Sequence, residues 1–264
     1  MIHSMRNNKD LQSEKKDMLS MMHFFLENFN FEEQSPNGRP SFPLKDIMKC
    51  LLVMSYHGWS LRRSQSDIEQ MHKDGIISCI PKPSTLNKYM LDSKTEELLE
   101  RLIILSALPL AAMSDTFIAD LTWYQQFMNT CAAHRQKVRK VDLAPHYKTR
   151  KLHILMCKET RSVCWAKASG GEVNDSPFLP RMIQETVNEG FVIKKLLADK
   201  GYVAKETYAL CQELGIKECF IEMKMFYTGK RPGSALWRDQ LQVYKNKPEE
   251  WHESYRFRVI VRTI

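Results

Sequence analysis

Two aspartates that follow apolar runs are the residues of this sequence best placed to do chemistry. Asp120 comes after Phe117-Ile-Ala, and Asp199 comes after Leu196-Leu-Ala. Both runs are typical of buried strands, where a carboxylate is costly unless it is paired, hydrogen-bonded or bound to a cation. On adjacent strands the two carboxylates could share Mg²⁺, which takes oxygen ligands, and metal pairs of this kind assist phosphoryl displacement. Each aspartate could instead cap a turn or a helix.

The elements around these aspartates predict an α/β domain. After Asp115 the apolar period changes from helical to strand-like. Asp175 is expected to be the N-cap of a helix with Pro177 in its first turn. The predicted order is strand, hairpin, helix, strand, helix and strand, which together give a mixed sheet with helices packed on it. These elements are expected at 117–121, 152–157 with 162–168, 175–189, 195–199, 203–214 and 218–222.

Three segments are predicted along the chain. Residues 1–43 form a loose polar leader and a loop rich in Pro and Gly. Residues 44–113 form a helical domain, and residues 114–264 form the α/β domain. In the helical domain, apolar residues at i, i+3 and i+4 from Leu44 predict a helix that ends at Gly58.

Three more helices are expected in this helical domain. Ser60 is expected to cap the second helix and Ser84 or Thr85 the third, and a fourth helix is expected over residues 93–108. Short helices with tight turns could form a helix-turn-helix-like DNA-binding module. A helical bundle without a role in DNA binding explains the same pattern.

The positive charge is concentrated in two stretches. The formal net charge is +8, and between His134 and Lys151 lie seven basic residues and one acid, Asp142. From Lys224 onward, basic residues alternate with aromatic ones such as Trp237. Such a mixture suits phosphate contacts with aromatic packing or base stacking, although a solvated basic surface needs no nucleic acid.

Other classes of protein are excluded by composition. The longest apolar run, from Leu102 to Met113, is interrupted by Ser106 and Pro109 and is too short for the roughly 20 residues of a membrane span. The N-terminus has no apolar stretch typical of a secretory signal, so we expect a cytoplasmic protein. Seven scattered cysteines without a C-x-x-C pair predict reduced, mostly buried thiols.

Five blocks of sequence resemble a known family in their order and spacing. They are Phe117-Ile-Ala-Asp-Leu-Thr, Lys151-Leu-His, Gly171-Glu-Val-Asn-Asp-Ser-Pro, Leu197-Ala-Asp-Lys-Gly-Tyr and Trp251-His-Glu-Ser-Tyr-Arg-Phe-Arg. With them, the chain from about Leu44 onward resembles the DDE transposases of bacterial and archaeal insertion sequences, in particular the IS4/IS5-like group. The block that contains Asp199 is the most specific of the five.

The resemblance implies a ribonuclease H-like core in which Asp120 and Asp199 are catalytic residues and bind Mg²⁺ or Mn²⁺, two ions in an active enzyme. It implies double-stranded DNA as the partner, both element ends and target, and it is compatible with a homodimer and with a place at the nucleoid. The reaction would be hydrolysis at the element ends, followed by attack of the freed 3′ hydroxyl on target DNA. We expect the following basic residues to contact DNA: Arg135, Lys137, Arg139, Lys140, Lys148, Arg150, Lys151, Lys200 and Arg258.

The sequence departs from the family at the third carboxylate. The family pattern is Tyr-x-x-Arg-x-x-x-Glu, whereas here Tyr255 and Arg258 are followed by Arg262. A guanidinium cannot bind a metal ion, and the expected continuation of that helix is missing. The sequence therefore predicts a truncated or decayed transposase with weak or no strand-transfer activity. The alternative is a catalytically dead DNA-binding remnant that recognises element ends or interferes with an intact transposase.

Two smaller expectations concern residues near these blocks. Tyr202, three residues after Asp199, is expected to pack in the core rather than to contact phosphate. His146 and His153 are interpreted as structural or solvent-exposed residues in preference to metal ligands.

Overall fold

The computed structural model describes residues 8–31, 42–126, 148–223 and 233–263. By its internal contacts the chain divides into two compact units, residues 1–102 and residues 103–264. The sequence placed this boundary after residue 113. Among the described helices, none combines the length and the apolar character that crossing a bilayer requires.

Helices make up the first unit. They are α1 (Asn8–Asn28), α2 (Leu44–His57), α3 (Gln65–Lys73), α4 (Pro83–Met90) and α5 (Ser93–Ala107), and α5 extends past the division between the units. The predicted α2 is confirmed, with Ile47, Met48 and Leu51 buried on one face. Gly58 ends it in the left-handed conformation, with φ 61°, which glycine adopts without a steric penalty.

The N-terminal leader is helical where the structure describes it, contrary to the loose segment expected there. Met22 and Leu26 of α1 are buried in the core of the first unit. Glu27 lies 2.7 Å from Lys45 and 3.1 Å from Lys49 of α2, and these two ammonium groups lower the pKa of Glu27 to about 2. The sequence did not predict this helix because the segment is mostly polar and the helix buries only a narrow stripe of apolar side chains.

Two N-caps expected in the first unit were wrong. Ser60 lies in a turn before α3, where its carbonyl accepts hydrogen bonds from the backbone of Arg63 and Ser64, and Ser64 occupies the N-cap position. Helix α4, which is the third helix that the sequence predicted after residue 43, begins at Pro83. Ser84 and Thr85 therefore lie inside its first turn. Proline suits the first helical position because its fixed φ matches the helix and because it has no backbone N–H that would need a partner there.

The second unit contains a five-stranded sheet with helices on it. Its strands are β1 (Thr116–Gln126), β2 (Lys148–Cys157), β3 (Val163–Gly170), β4 (Lys195–Ala198) and β5 (Glu218–Ile221). Its helices are α6 (Phe178–Asn188), α7 (Lys205–Glu213), α8 (Ala235–Asn246) and α9 (Pro248–Tyr255). Short 3₁₀ helices cover Leu108–Met113, Lys200–Tyr202 and Arg256–Thr263.

The strand order is β3-β2-β1-β4-β5. Strands β3, β2 and β1 pair antiparallel, whereas β1, β4 and β5 pair parallel. The prediction of an α/β mixed sheet with flanking helices, preceded by a helical region, is confirmed. Strands β4 and β5 end at the same edge of the sheet, where the pairing of β1 with β4 also ends, and β1 continues beyond it paired with β2.

Each face of the sheet is covered by its own apolar cluster. On one face, Phe117, Ala119 and Leu196 belong to the main core, together with α6 and α7 residues such as Met182 and Tyr208. On the other face, a smaller cluster contains Ile118, Met156, Leu197, Phe220 and Trp251. This alternation along β1 and β4 follows from the two-residue period of a strand.

The predicted N-cap Asp175 was wrong as well. Helix α6 begins at Phe178, with Pro177 at its N-cap position, and the Asp175 carboxylate pairs with Lys151 of β2 instead, 2.7 Å away. Asp175 thus pairs with a lysine 24 residues earlier in the chain instead of capping the helix that follows it. The hairpin of β2 and β3 is confirmed, and it turns through Arg161 with φ 56°. The described cysteines are all free thiols, as expected.

Candidate active site

The two aspartates lie side by side where the parallel pairing of β1 with β4 ends. Asp199 directly follows β4, whereas Asp120 lies inside β1, which continues to Gln126 and is longer than the strand predicted at 117–121. Ala119 of β1 is in register with Ala198 of β4, and each is followed directly by one of the aspartates. Two residues before them, Ile118 and Leu197 lie in the apolar cluster under Trp251. Because alternate residues of a strand share a face, both carboxylates are on the face that α9 covers.

A guanidinium joins the two carboxylates. Nη1 of Arg258 lies 3.2 Å from Oδ1 of Asp120 and 3.3 Å from Oδ1 of Asp199. The side chain of Asp120 is 7% exposed and that of Arg258 is 11% exposed, whereas Asp199 keeps 25% exposure. The backbone N–H of Leu121 also donates to Oδ1 of Asp120, at 2.9 Å. The site is therefore a partly buried cluster of two anions and one cation, open on the side of Asp199.

The segment that carries Arg258 is held in place by an aromatic anchor. Trp251 of α9 is fully buried and packs on Phe220 of β5 and on Tyr244 of α8. Tyr255 stacks on Trp251 with 4.7 Å between ring centroids, and the Arg258 guanidinium lies 5.4 Å from the Tyr255 ring. Burial raises the pKa of Tyr255, with the charges of Glu222 and Asp199 adding to the effect and that of Arg258 opposing it.

A buried hydrogen-bond chain supports Asp120 from beneath. The hydroxyl of Tyr202 donates to the carbonyl of Asp120 at 3.2 Å and lies 2.8 Å from Nδ1 of His153, whose Nε2 is 2.9 Å from Oγ of Ser169. The tautomer of His153 decides which atom donates in each of its two contacts. Tyr202 and His153 are fully buried, which bears out their interpretation as structural residues; His146 lies outside the described residues.

The environment sets the protonation states of this chain. Burial raises the pKa of Tyr202, and the nearby charges of Asp175, Asp120 and Asp199 raise it further. Burial lowers the pKa of His153; Asp175 opposes this shift and Lys151 adds to it. Both groups are therefore uncharged near neutral pH. Stacking of His153 on Phe178, at 4.0 Å between centroids, fixes the imidazole ring.

Several of the residues expected to contact DNA fall outside the described residues, namely Arg135, Lys137, Arg139 and Lys140; Lys148 lies on β2, with its side chain outside the described part. Arg150 and Lys200 are exposed. Lys151 is buried and donates to the Val173 carbonyl and to Asp175, each at 2.7 Å. Arg258 is paired with the two aspartates. Contact with DNA by any of these residues stays a prediction.

The third acidic position has no counterpart in the described geometry. Arg262 lies in the 3₁₀ helix after α9, and its side chain is outside the described part. Glu253 is 71% exposed and pairs with Arg256. Sequence reasoning missed Glu222, which directly follows β5 just as Asp199 follows β4; its carboxylate accepts from the Tyr255 hydroxyl at 3.4 Å. The repeated position after an apolar strand was the signal that could have found it.

The site fits a divalent cation in the type of its ligands. Two carboxylates already share one cation, the guanidinium of Arg258, and carboxylate oxygens are the ligands that Mg²⁺ prefers. The ligands are too few to surround an ion, since no group of three His, Cys, Asp or Glu residues within the described ranges could hold a metal. A metal at this place would take two protein ligands and require Arg258 to move.

Comparisons with known proteins bear on this geometry. The family model for the transposase DDE domain matches residues 125–261, a range that includes Asp199 and Arg258 and begins just after Asp120. No protein of curated function matches the chain. A solved structure, the simian T-cell lymphotropic virus intasome in complex with PP2A regulatory subunit B56 gamma, contains a chain with 12% identity and a TM-score of 0.28. That match covers 60% of the present chain and 56% of the matched chain.

Proposed function

The chain belongs to the transposase DDE domain family, whose model matches just over half of it, and from this premise we propose that it acts on the DNA of an insertion sequence. DDE transposase domains are generally dependent on divalent metal ions. The observation that carries the proposal is the placement of Asp120 and Asp199 directly after the last paired residues of the adjacent parallel strands β1 and β4, where both face one cation. We expect the protein to act in the cytoplasm, at the nucleoid.

Asp120 and Asp199 are the residues that would hold Mg²⁺ or Mn²⁺, with two ions in an active enzyme. When bound, such ions act as Lewis acids on the scissile phosphate and stabilise the attacking and leaving oxygens. The strand pairing of β1 with β4 holds the two carboxylates side by side, and the Tyr202 hydroxyl holds the backbone of Asp120. The exposed side chains of Arg150 and Lys200 are available to position the phosphate backbone.

The activity of this chain is expected to be weak. Cleavage would free a 3′ hydroxyl at the element end, and strand transfer would use that hydroxyl to attack target DNA. By the resemblance, Arg262 takes the place of the third acid, and a guanidinium at that place would add a positive charge where the site needs a metal ligand. We therefore propose DNA binding as the retained function and phosphodiester cleavage as a residual one.

A second candidate is a DNA-binding remnant without catalysis, which recognises element ends or interferes with an intact transposase. The pairing of Arg258 with both aspartates favours it, since the carboxylates have a cation without any metal. Its binding should weaken steeply as salt rises, because phosphate contacts release counterions. Equal affinity for element-end DNA and random duplex across salt concentrations would rule out specific recognition.

Cleavage of labelled element-end DNA with Mg²⁺ or Mn²⁺ tests the proposal. We expect weak or absent cleavage by the wild type, none by Asp199→Ala, and a gain in Arg262→Glu, which restores the third acid. The matched control is Arg256→Glu, which makes the same charge change at an exposed side chain of the same segment. Robust wild-type cleavage that Asp199→Ala abolishes would refute the inactivity. Failure of both binding and cleavage would refute the function itself.

A further inference from the structure

One nitrogen of Arg258 occupies the place between the two acids. Its Nη1 lies within 3.3 Å of a carboxylate oxygen from each aspartate. An Mg²⁺ ion bound to the same two oxygens would lie about 2.1 Å from each of them. Since Nη1 contacts the same two oxygens, the ion and the guanidinium would compete for them, and their like charges oppose binding of both together.

We propose that Arg258 is a displaceable internal cation of the acid pair: it holds the two aspartates when no divalent ion is bound, and a DNA phosphate draws it away so that the ion can bind. The inference rests on the proposed function for the identity of the anion. Arg258 thus links entry of the metal to arrival of the substrate and serves as a positioning residue.

The guanidinium keeps unused capacity for a phosphate. Its Nε is buried and has no hydrogen-bond partner among the described residues, although arginine presents five donors in a planar fork suited to phosphate oxygens. The pairing with the aspartates uses Nη1 alone for both carboxylates. A phosphate that bound the fork in a bidentate manner would satisfy donors that the present arrangement leaves without a partner.

The site is open on the side from which a phosphate would come. Asp199 is the most exposed member of the cluster, with 25% of its side chain accessible, and the neighbouring Lys200 is exposed. The Tyr255 ring, 5.4 Å from the guanidinium, and its buried neighbour Trp251 give Arg258 a fixed base from which its long side chain can turn.

Thermodynamic linkage makes the inference quantitative. If DNA removes Arg258 from the acids, then DNA raises the affinity for the metal, and the metal must raise the affinity for DNA by the same factor. Removing the guanidinium by mutation should raise the affinity for the metal even without DNA. This effect is opposite to the loss that mutation of a metal ligand or a general loss of structure would cause.

The test is calorimetric titration of the metal-free full chain with MnCl2. We expect Arg258→Met to bind Mn²⁺ at least tenfold more tightly than the wild type, and Arg258→Met with Asp199→Asn to lose that gain. The matched control is Arg256→Met, which removes an exposed guanidinium two residues away that pairs with Glu253 instead; its affinity should equal that of the wild type. Equal Mn²⁺ affinity in Arg258→Met and the wild type would overturn the inference.

A second measurement tests the inference without Arg258→Met, in case that variant does not fold. The wild type is titrated with MnCl2 in the presence and absence of a short saturating DNA duplex. Mn²⁺ binding at least tenfold tighter with DNA supports the inference, and unchanged binding refutes it. Tighter Mn²⁺ binding by Arg258→Met without DNA cleavage by any variant would leave the inference standing and refute catalysis. Wild-type cleavage with unchanged Mn²⁺ affinity in Arg258→Met would support catalysis and refute the inference.

Discussion

The hydroxyl of Tyr202 ties the two halves of the site together, and its removal is expected to destabilise the second unit. Tyr202 lies in the 3₁₀ helix that follows Asp199, and its hydroxyl donates to the carbonyl of Asp120 on the neighbouring strand. Tyr202→Phe keeps the ring and deletes only this oxygen. The substitution leaves Nδ1 of His153, now 2.8 Å from the tyrosine oxygen, without that partner in a fully buried place.

The size of the effect follows from this geometry. A buried donor or acceptor that loses its partner costs about 1 to 3 kcal/mol. We expect a loss of about 2 kcal/mol, since the hydroxyl has two partners and the carbonyl contact is the longer one. With a urea m-value of about 2 kcal/mol/M, the unfolding midpoint should fall by about 1 M.

Urea unfolding followed by tryptophan fluorescence measures this loss, because four of the five tryptophans, all but Trp59, lie in the second unit. The control is Tyr208→Phe, which deletes the hydroxyl of an equally buried tyrosine whose bond to the Ile221 carbonyl is 3.5 Å long. We expect a clearly smaller loss there. Equal losses in the two variants, or a loss below about 0.5 kcal/mol for Tyr202→Phe, would refute the reasoning.

Three further predictions follow from the same packing. Trp251→Ala should lower the free energy of unfolding by about 3 to 5 kcal/mol, because the ring is fully buried; an unchanged urea midpoint would contradict this. Arg258→Met without metal should cost about 3 kcal/mol by removing the guanidinium that both acids share, and adding Asp120→Asn should recover part of that loss, as a double-mutant cycle in urea would measure. The pKa of His153 is lowered on folding, so the unfolded chain binds more protons and stability should fall as the pH drops below about 6.5. His153→Gln should make this fall shallower, and an identical slope in the variant would contradict it.

The aspartates of the site were predictable from the sequence because their signal is local. Both Asp120 and Asp199 directly follow a short apolar run. Asp199 does mark the end of its strand, whereas β1 continues past Asp120 to Gln126. The helix from Leu44 was equally predictable from its spacing. In each case the determining residues lie within about one turn or one strand of each other.

The rest depended on contacts between residues far apart in the chain. Asp175 has the sequence context of an N-cap but pairs with Lys151 on β2, and Arg258 reaches an aspartate 138 positions earlier. The sequence pattern predicted that Arg258 contacts a DNA phosphate. A basic residue beside aromatic ones gives no indication that it pairs with an acid of the same chain. Its pairing follows only from the position of α9 across the sheet.

The register of the parallel strands fixes the spacing of the acids independently of the cation that the acids meet. Ala119, Ala198 and Ile221 are aligned by backbone hydrogen bonds, so the acids that follow them are spaced by the strand separation of about 4.8 Å. That spacing does not depend on any side chain of the last helix. Substitutions after Tyr255 can therefore change which cation the acids meet while the backbone spacing of the acids stays the same.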